Sequence, residues 1–297
     1  MHSEAMSRKR SGQSELRQAI DRATVLFAAA GIDSARYDAE ELAAYAAGTE
    51  RGRLMMMESP GSDFFDRYEE LIVARSARIP LQHIIGRAAF GPLMLEVGPG
   101  VFIPRPETEA MLEWVLKNVA SQTFGNPAVI VDACTGSGAL AIALSGSLPG
   151  ARVVAIEDCE SALDFARRNC AATAVELIHA DVTTPGLLSE LDGGVDLMVS
   201  NPPYIPEGSE LDPEVAQHDP EHALFGGPDG MSVIAPLCEL AGRLLRPGGV
   251  FAVEHDDTTS VSTIQTVNRT GCFDQVTSRP DFTGRPRFVT AVRNGQP

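Results

Sequence analysis

The chain has 297 residues, of which 44% are hydrophobic and 22% charged, a composition typical of a globular protein with one large or two ordinary domains. Its formal net charge of −16 disfavours non-specific binding to nucleic-acid backbones, which requires clustered Lys and Arg. No apolar run approaches the roughly 20 residues of a membrane helix, and the 5 scattered cysteines lack the spacing of a metal site or a disulfide framework.

The first residues carry a basic run, Arg8-Lys9-Arg10, which no apolar segment follows. A secretory signal needs such a segment, so this start does not predict secretion. We expect either a disordered start or translation from Met6 instead of Met1. Together with the scattered cysteines, which indicate a reducing compartment, this predicts a cytoplasmic protein without a membrane anchor, a disulfide or a bound metal.

Residues 1–80 are predicted to form a small all-helical domain. Between residues 14 and 78, apolar side chains recur at three- and four-residue spacing and no strand signal interrupts them. The first helix is expected to end at Gly31 and the second to occupy the segment Ser34–Gly48. A third apolar stripe follows and stops before Pro80.

Residues 81–106 differ from what precedes them, because glycines and prolines alternate with short apolar runs such as Leu93-Met94-Leu95. This punctuation predicts a hairpin that links two domains.

Residues 107–297 are predicted to form an α/β domain of Rossmann-like type. The chain alternates there between short apolar strands, glycine loops and helices, a pattern typical of a parallel sheet with helices on both faces. Strands are predicted at residues 128–131, 152–156, 175–178, 197–199, 250–253, 275–277 and 288–292, and helices at 139–147, 160–170 and about 231–245.

A glycine loop follows the first strand of this pattern, with the sequence Cys134-Thr135-Gly136-Ser137-Gly138. Glycines let the backbone turn sharply and approach a ligand, and the helix N-terminus behind the loop favours a carboxylate. Glu157 ends the next strand, about 20 residues later, where an acid can accept both hydroxyls of a ribose. The full Gly-x-Gly-x-x-Gly spacing of dinucleotide sites is absent, so the pair indicates a nucleoside-type ligand.

Asp181 follows the third predicted strand and therefore belongs to the same edge of the sheet. Ligands of this architecture lie beyond the carboxyl ends of the strands, where Asp181 can meet an adenine amine. Taken alone, Asp181 is equally typical of a helix cap, because Thr183 and Thr184 stand beside it.

The fourth predicted strand leads directly into Asn201-Pro202-Pro203-Tyr204. An amide or aromatic amine is a poor nucleophile because its lone pair is delocalised, so catalysis needs acceptors on its N–H groups. The side-chain oxygen of Asn201 and the carbonyl of Pro202 can accept these hydrogens, and the prolines fix the backbone without offering a donor. The ring of Tyr204 can cover a planar substrate. An ordinary Pro-Pro turn is the alternative, and the glycine loop upstream favours the catalytic interpretation.

Motifs over almost the whole chain resemble the bacterial release-factor glutamine methyltransferases (HemK/PrmC type), a family of class I S-adenosylmethionine-dependent methyltransferases. The Asn-Pro-Pro-Tyr motif is shared with adenine amino-methyltransferases, whereas the Pro-Arg-Pro-Glu-Thr-Glu segment is far more specific. Besides the two loops above, the resemblance lies in Arg78-x-Pro80-Leu81-Gln82-His83-Ile84, Gly98-Pro99-Gly100-Val101-Phe102-Ile103-Pro104-Arg105-Pro106-Glu107-Thr108-Glu109, Ala223-Leu224-Phe225-Gly226-Gly227-x-Asp229-Gly230, Arg246-Pro247-Gly248-Gly249 and Gly284-Arg285-Pro286-Arg287.

The resemblance implies a helical N-terminal domain that docks a protein substrate and a seven-stranded methyltransferase domain. It implies transfer of a methyl group from S-adenosylmethionine to the side-chain amide nitrogen of the glutamine in the Gly-Gly-Gln loop of peptide-chain release factors. Release factors are then the expected partners, with no direct nucleic acid and no membrane, and a monomer is expected.

By motif position, the resemblance also implies which residues form the site. Two of them depart from the family pattern: Cys134 stands where glycine is usual, and Glu157 replaces the commoner Asp, yet neither change removes a required group. A structural linker with a surface salt bridge is the alternative for Arg105. The implied cofactor contacts are Cys134, Thr135, Gly136, Ser137, Gly138, Glu157, Asp181, Val182 and Asn201, and the implied substrate contacts are Asn201, Pro202, Pro203, Tyr204, Phe102 and Arg105.

Three other functions use parts of the same pattern. A glutamine methyltransferase of a ribosomal protein needs the same chemistry, and the docking domain would distinguish it. An adenine amino-methyltransferase on nucleic acid needs base extrusion and a basic groove, which the acidic composition disfavours. A non-catalytic binding protein has no need of an intact glycine loop together with Asn201 and Tyr204.

Overall fold

The computed structural model describes residues 2–54, 56–57, 60–119 and 127–296, with side chains from residue 12 onwards except that of residue 119. Met1 and Pro297, the outermost residues of the predicted domains, lie outside these ranges. The helices are α1 (His2–Ala29), α2 (Ala35–Ala46), α3 (Arg51–Leu54), α4 (Phe64–Ser76), α5 (Leu81–Ile85), α6 (Pro106–Val119), α7 (Ala139–Ser147), α8 (Glu160–Cys170), α9 (Pro213–His218), α10 (Glu221–Leu224), α11 (Ile234–Leu244) and α12 (Ser260–Arg269). The strands are β1 (Arg87–Phe90), β2 (Leu93–Glu96), β3 (Val129–Ala133), β4 (Arg152–Glu157), β5 (Glu176–His179), β6 (Val195–Ser200), β7 (Leu245–Glu254), β8 (Phe273–Pro280) and β9 (Pro286–Arg293).

The chain forms two compact units. One contains Met1–Gly86 together with Asp212–His218, and the other contains Arg87–Leu211 and Asp219–Pro297. The predicted limits at residues 80 and 106 differ from this division. We attribute the difference to two short elements whose packing the local pattern does not reveal, α5 and the β1–β2 hairpin.

The helical unit has an apolar core drawn from α1, α2 and α4, as the three-four periodicity indicates. Ile20, Phe27, Leu42 and Ile72 are buried in it, and the hydroxyl of Tyr68 donates to a carbonyl of α2 at 2.8 Å. The backbone of residues 2–13 is helical, because α1 begins at His2, where a disordered start was one of two expectations; translation from Met6 stays a prediction. The polar residues there offer no apolar stripe from which a helix is predicted.

A buried arginine ties α9 to this helical unit. The guanidinium of Arg75 is almost inaccessible and donates to Asp38 at 2.8 Å and to the backbone oxygen of Ile79 at 3.0 Å. Its remaining nitrogen donates to Glu214 of α9 at 2.8 Å. A buried charge needs such a complete set of partners, so the segment around α9 belongs with helices that lie far away in sequence.

The β1–β2 hairpin is present where a hairpin was predicted, and its two strands pair antiparallel. Phe90 and Leu95 point into the core of the second unit, where they cluster with Met111 and Val115 of α6. The hairpin is therefore a packed part of the sheet-containing unit. The predicted hairpin segment also contains α5, a helical turn that the pattern did not indicate.

Within the described residues, seven strands form one sheet in the order β5-β4-β3-β6-β7-β9-β8. The first five are parallel to one another, and β9 runs antiparallel to both β7 and β8. This confirms the predicted α/β class and the seven-stranded sheet. The helices α6 and α12 were not predicted, whereas α11, at Ile234–Leu244, lies within the helix predicted at about 231–245.

The register of the central strands brings the predicted loops to one edge. Ala133 of β3 pairs with Ile156 of β4 on one side and with Ser200 of β6 on the other. The residues that follow these three positions are Cys134, Glu157 and Asn201. Loops that are distant in sequence thus leave the sheet side by side.

In the parts of the chain that the structure covers, no helix has the length and apolar character that crossing a bilayer demands. In the same ranges, no group of three His, Cys, Asp or Glu side chains is arranged around a metal position.

Candidate active site

The glycine loop between β3 and α7 has a backbone that favours residues without a bulky side chain. Cys134, Gly136 and Gly138 all have positive φ, at 58°, 57° and 86°. A side chain at Gly138 would also place its Cβ 3.1 Å from the sulfur of Cys170. Cys134 therefore occupies a left-handed conformation that glycine adopts more readily, which gives the physical reason for glycine being usual at that position.

Asp132, in β3, holds this loop by hydrogen bonds. Its carboxylate is fully buried and accepts hydrogen bonds from the hydroxyl of Thr135 at 2.5 Å and from the backbone N–H of Ala141 at 3.0 Å. Burial raises the pKa of Asp132 to about 7, and the two hydrogen bonds oppose that rise. The side chain thus fixes the loop to the first turn of α7.

Glu157 holds the same loop from the neighbouring strand. Its two oxygens accept the backbone N–H groups of Gly136 at 2.7 Å and of Cys159 at 3.0 Å. Burial raises the pKa of Glu157 to about 7, and the two backbone donors oppose that rise. Each carboxylate oxygen keeps a second lone pair, so Glu157 can accept two further hydroxyl hydrogens.

The glycine loop is open at Gly136 and closed at Gly138. A Cβ added to Gly136 would meet no atom within 4 Å, whereas one added to Gly138 would meet α8. The open side of the loop therefore lies at Gly136, next to the carboxylate of Glu157. The N-terminus of α7 and a carboxylate on this open side suit the carboxyl group and the ribose of a nucleoside-type ligand.

Asp181 and Val182 lie beyond β5. Asp181 is exposed, and its carboxylate accepts the backbone N–H of Thr183 at 2.7 Å. It therefore closes a turn, and the helix-cap alternative is wrong because no α-helix starts there. Val182 is buried against the core of the sheet. Because Asp181 is exposed, its second carboxylate oxygen remains able to accept a hydrogen bond from a ligand.

The Asn201–Tyr204 loop belongs to a chain of hydrogen bonds that the sequence did not predict. The amide nitrogen of Asn201 donates to the hydroxyl of Thr108 at 3.0 Å, and that hydroxyl donates to Glu254 at 2.7 Å. The phenol of Tyr204 donates to the other oxygen of Glu254 at 2.9 Å. Thr108 lies in α6 and Glu254 ends β7, so two further elements converge on this loop.

Sequence reasoning missed Thr108 and Glu254 as members of the site, although a signal existed for each. Thr108 lies within the Pro-Arg-Pro-Glu-Thr-Glu segment, and Glu254 is an acid directly at the carboxyl end of a strand, as Glu157 is. The rule applied to Glu157 therefore would have found Glu254 as well.

Burial determines the electrostatics around Glu254. It raises the pKa of Glu254 to about 7, while the hydrogen bonds from Thr108 and Tyr204 and the charge of Arg287 lower it. Burial and the adjacent Glu254 raise the pKa of Tyr204 well above its usual value. Tyr204 is therefore a protonated hydrogen-bond donor near neutral pH and not a general base.

The glycine-rich segment after α10 braces the Asn201–Tyr204 loop. Ile205 donates to the carbonyl of Leu224 at 2.8 Å, and Gly226 donates back to Ile205 at 2.9 Å. A Cβ on Gly226 would lie 2.7 Å from the carbonyl oxygen of Pro203 and 2.8 Å from that of Gly230. Only glycine allows the two backbones to approach this closely.

Arg105 contacts both the ring of Phe102 and a buried acid. The guanidinium carbon of Arg105 lies 5.2 Å from the centroid of the Phe102 ring, a cation–π geometry. Arg105 also pairs with Asp219 at 2.6 Å, and the Asp219 side chain is 1% exposed against 35% for Arg105. A surface salt bridge does not describe this pair, because one partner is buried.

The structure thus places most of the predicted site residues in three groups, each with partners that were not predicted or that lie on a neighbouring strand. The glycine loop joins Glu157, and the Asn201–Tyr204 loop joins Thr108 and Glu254. Phe102 and Arg105 form the third group with Asp219.

Comparison with known families covers both parts of the chain. The family described as PrmC N-terminal domain matches residues 18–86. The family described as Methyltransferase small domain matches residues 99–223.

Two curated relatives extend this likeness over nearly the whole length. The chain is 62% identical over 284 residues to the release factor glutamine methyltransferase of Mycobacterium tuberculosis, covering 94% of this chain and 92% of the relative. It is 38% identical over 285 residues to the 4-amino-L-phenylalanine/4-methylamino-L-phenylalanine methyltransferase of Streptomyces pristinaespiralis, covering 94% and 95%.

A solved structure supports the fold alone. A methyltransferase from Pyrococcus furiosus is 21% identical and superposes with a TM-score of 0.51, covering 75% of this chain and 98% of that chain.

We predict that Gly226→Ala destabilises the protein by about 1–3 kcal/mol, because the added methyl group overlaps two carbonyl oxygens. Gly146→Ala is the matched control, since its Cβ would meet nothing within 4 Å in helix α7. The control is expected to be neutral or to stabilise by about 0.5–1 kcal/mol. Denaturant unfolding measures both changes, and equal stabilities of the two variants would refute the brace.

We predict that Asp132→Asn weakens the loss of stability that wild-type protein shows between about pH 4 and 7. The folded pKa of about 7 exceeds the usual 3.8, so the folded state binds the proton more tightly than the unfolded state. The resulting stability is fully present below the unfolded pKa, is lost by about 1.4 kcal/mol per pH unit between the two pKa values, and is gone once the pH has passed the folded pKa. Unfolding curves at several pH values measure the slope, and parallel slopes for both proteins would contradict the prediction.

Proposed function

Because the chain belongs to the release factor glutamine methyltransferase family, we propose that Asn201 and Pro202 hold the acceptor amide of a release factor for methylation. The protein is an S-adenosylmethionine-dependent enzyme that methylates the side-chain amide nitrogen of a glutamine in peptide-chain release factors. The observation that carries the site assignment is the edge of the sheet where the glycine loop and the Asn201–Tyr204 loop follow paired strand residues.

The residues at this edge fit S-adenosylmethionine. When bound, the cofactor supplies a methyl group attached to a positively charged sulfur. The open side of the loop at Gly136 and the remaining lone pairs of Glu157 suit an amino acid portion and a ribose. We assign the cofactor contacts to Cys134, Thr135, Gly136, Ser137, Gly138, Glu157, Asp181, Val182 and Asn201.

The acceptor nitrogen needs orientation more than it needs a base. An amide lone pair is delocalised into the carbonyl, and two acceptors on its hydrogens hold the NH₂ group in a fixed plane. The side-chain oxygen of Asn201 and the carbonyl of Pro202 are the acceptors in this proposal, and neither Pro202 nor Pro203 has an N–H that competes for them. Preorganised acceptors and fixed distance account for most of the rate.

Tyr204 supports this geometry as a neutral phenol. Its hydroxyl is engaged by Glu254, which fixes the ring plane beside the loop. A ring held in this way covers the planar glutamine amide and excludes water. The raised pKa of Tyr204 agrees with this role, because an ionised phenol would compete for the acceptor's hydrogens.

Phe102 and Arg105 are proposed to line the entrance for the substrate. Arg105 is held by the buried carboxylate of Asp219 and by the Phe102 ring, so its charge has a fixed position. A fixed cation and an aromatic face can guide a glycine-flanked glutamine backbone into the site.

The helical unit is proposed to dock the release factor, which corresponds to the predicted role of residues 1–80. We also propose the functional division that the sequence predicted, with a hairpin linker at residues 81–106 and a methyltransferase domain at residues 107–297. A cytoplasmic location, a monomeric state and the absence of direct contact with nucleic acid are part of the proposal as well. The net charge of −16 supports the last of these, since phosphate backbones repel an acidic surface.

We predict that the purified chain labels a release factor from S-adenosylmethionine carrying an isotopic methyl group. Replacing the glutamine of the release factor's Gly-Gly-Gln loop by alanine is expected to abolish labelling, because the acceptor nitrogen is then absent. Scintillation counting of the separated proteins measures it.

Parallel reactions with a ribosomal protein, duplex DNA and 4-amino-L-phenylalanine test the other acceptors. Full labelling of the release factor that lacks the glutamine would overturn the assigned acceptor. Faster turnover of one of the three competitors would replace release factors as the substrate.

We predict that Glu157→Ala weakens binding of S-adenosylmethionine by about tenfold or more, since a ligand hydroxyl then loses its charged acceptor. Glu176→Ala is the control: Glu176 begins the adjacent strand β5 and pairs with Arg152 on the surface at 2.9 Å. Titration calorimetry measures both dissociation constants. The assignment of Glu157 fails when its variant binds the cofactor as tightly as the control does.

A further inference from the structure

Glu254 is a buried carboxylate at the end of β7 that accepts two hydroxyl hydrogens. Thr108 donates to one oxygen at 2.7 Å and Tyr204 to the other at 2.9 Å. Glu254 is fully buried and Thr108 is 5% exposed. The arrangement joins α6, the Asn201–Tyr204 loop and the end of a central strand.

The chemistry of these groups gives the hydrogen bonds one direction. When Glu254 is ionised, its carboxylate only accepts, so the single hydrogen of the Thr108 hydroxyl goes to Glu254. The Thr108 oxygen can then only accept a hydrogen from Asn201. The amide nitrogen of Asn201 therefore faces Thr108 at 3.0 Å, and its carbonyl oxygen faces the opposite way.

We propose that Thr108 and Glu254 are positioning residues that determine which end of the Asn201 carboxamide faces the acceptor glutamine. This inference rests on the proposed role of Asn201. A carboxamide has an acceptor end and a donor end of almost equal size, and nothing in its shape distinguishes them. Only the acceptor end can bind the N–H of a glutamine amide, so an Asn201 turned by 180° would present hydrogens to hydrogens.

The same carboxylate also connects the two functional side chains of the loop. Glu254 holds the phenol of Tyr204 through one oxygen and the carboxamide of Asn201, by way of Thr108, through the other. One buried carboxylate therefore orients both the ring of Tyr204, which covers the substrate amide, and the side-chain oxygen of Asn201, which accepts its hydrogen. The covalent step is unchanged by this proposal, and neither Thr108 nor Glu254 contacts the reacting atoms.

Replacing the threonine hydroxyl by a methyl group isolates this effect. In Thr108→Val the side chain keeps its volume, but Asn201 loses the acceptor that orients it. We expect kcat for release-factor methylation to fall by about tenfold to a hundredfold, while KM and the dissociation constant of S-adenosylmethionine stay within about twofold. Thr108→Ser restores the hydroxyl and is expected to recover most of the lost kcat.

Glu254→Gln tests the direction of the chain without removing a hydrogen-bonding group. The amide that replaces the carboxylate has one accepting and one donating end, so it cannot accept from Thr108 and Tyr204 at once, and either Asn201 or Tyr204 loses the arrangement that orients it. We expect a loss of kcat of about tenfold or more, again without a comparable change in cofactor affinity.

Thr263→Val is the matched control for losing a buried threonine hydroxyl. Thr263 lies in α12, is fully buried and donates to the backbone oxygen of Thr259 at 3.0 Å. We expect its kcat to equal that of the wild type, although its melting temperature can fall as that of Thr108→Val does.

Steady-state kinetics of the full chain with a purified release factor, calorimetry with S-adenosylmethionine and thermal unfolding form the experiment. A kcat of Thr108→Val or Glu254→Gln within about twofold of the wild type overturns the proposal. So does an equal loss in Thr108→Val and Thr108→Ser. When Thr108→Val does not fold, Glu254→Gln decides between the outcomes.

The failure of the proposed function has a different signature. In that case the wild-type chain itself does not label the loop glutamine of the release factor. The present proposal is tested only when the wild type is active, and it then fails by either of the variant outcomes given above.

Discussion

Parallel pairing of three adjacent strands is the constraint on which the site depends. Ala133 lies between Ile156 and Ser200 in the sheet, so the chain leaves all three strands at the same edge. Hydrogen bonds between parallel strands are evenly spaced, and a shift of one residue would turn every side chain to the other face. The apolar side chains on both faces of the sheet are buried, and they hold this register.

Three buried carboxylates stand at or near the carboxyl ends of the central strands and share one physical character. Burial raises the pKa of Asp132, Glu157 and Glu254 to about 7 in each case. Their ionisation therefore reduces stability, and backbone or hydroxyl donors offset part of that cost. Each uses its oxygens to orient a loop: Asp132 and Glu157 hold the glycine loop, and Glu254 holds the Asn201–Tyr204 loop.

Close backbone approach completes the site on the other side of the loop. Gly226 fits between the carbonyl oxygens of Pro203 and Gly230, so the prolines are fixed by their own rings and also by a second segment. Rigid acceptors matter for an amide substrate, because an amide has little intrinsic nucleophilicity and the enzyme gains rate from orientation. The fold thus converts a chemically weak nucleophile into a positioned one.

The local sequence predicted the elements whose periodicity is strong and whose motifs are contiguous. The strand pattern, the glycine loop and the Asn201–Tyr204 loop all follow from side-chain spacing and from the backbone preferences of Gly and Pro. The helices α6 and α12 were not predicted, and α5 lay hidden in a segment rich in glycine and proline. The departure of Cys134 from glycine was visible in the sequence, but its cost became clear only from its φ of 58°.

By itself the sequence determined the α/β class, the helical N-terminal segment and the residue types of the site, because these depend on neighbours within a few positions. Only the tertiary structure decided that Thr108 and Glu254 meet Asn201 and Tyr204, since these residues come from a helix, a strand and a loop separated by 93 and 50 positions for the contacting pairs. Their meeting depends on the order of strands in the sheet and on the packing of α6, which no local pattern encodes.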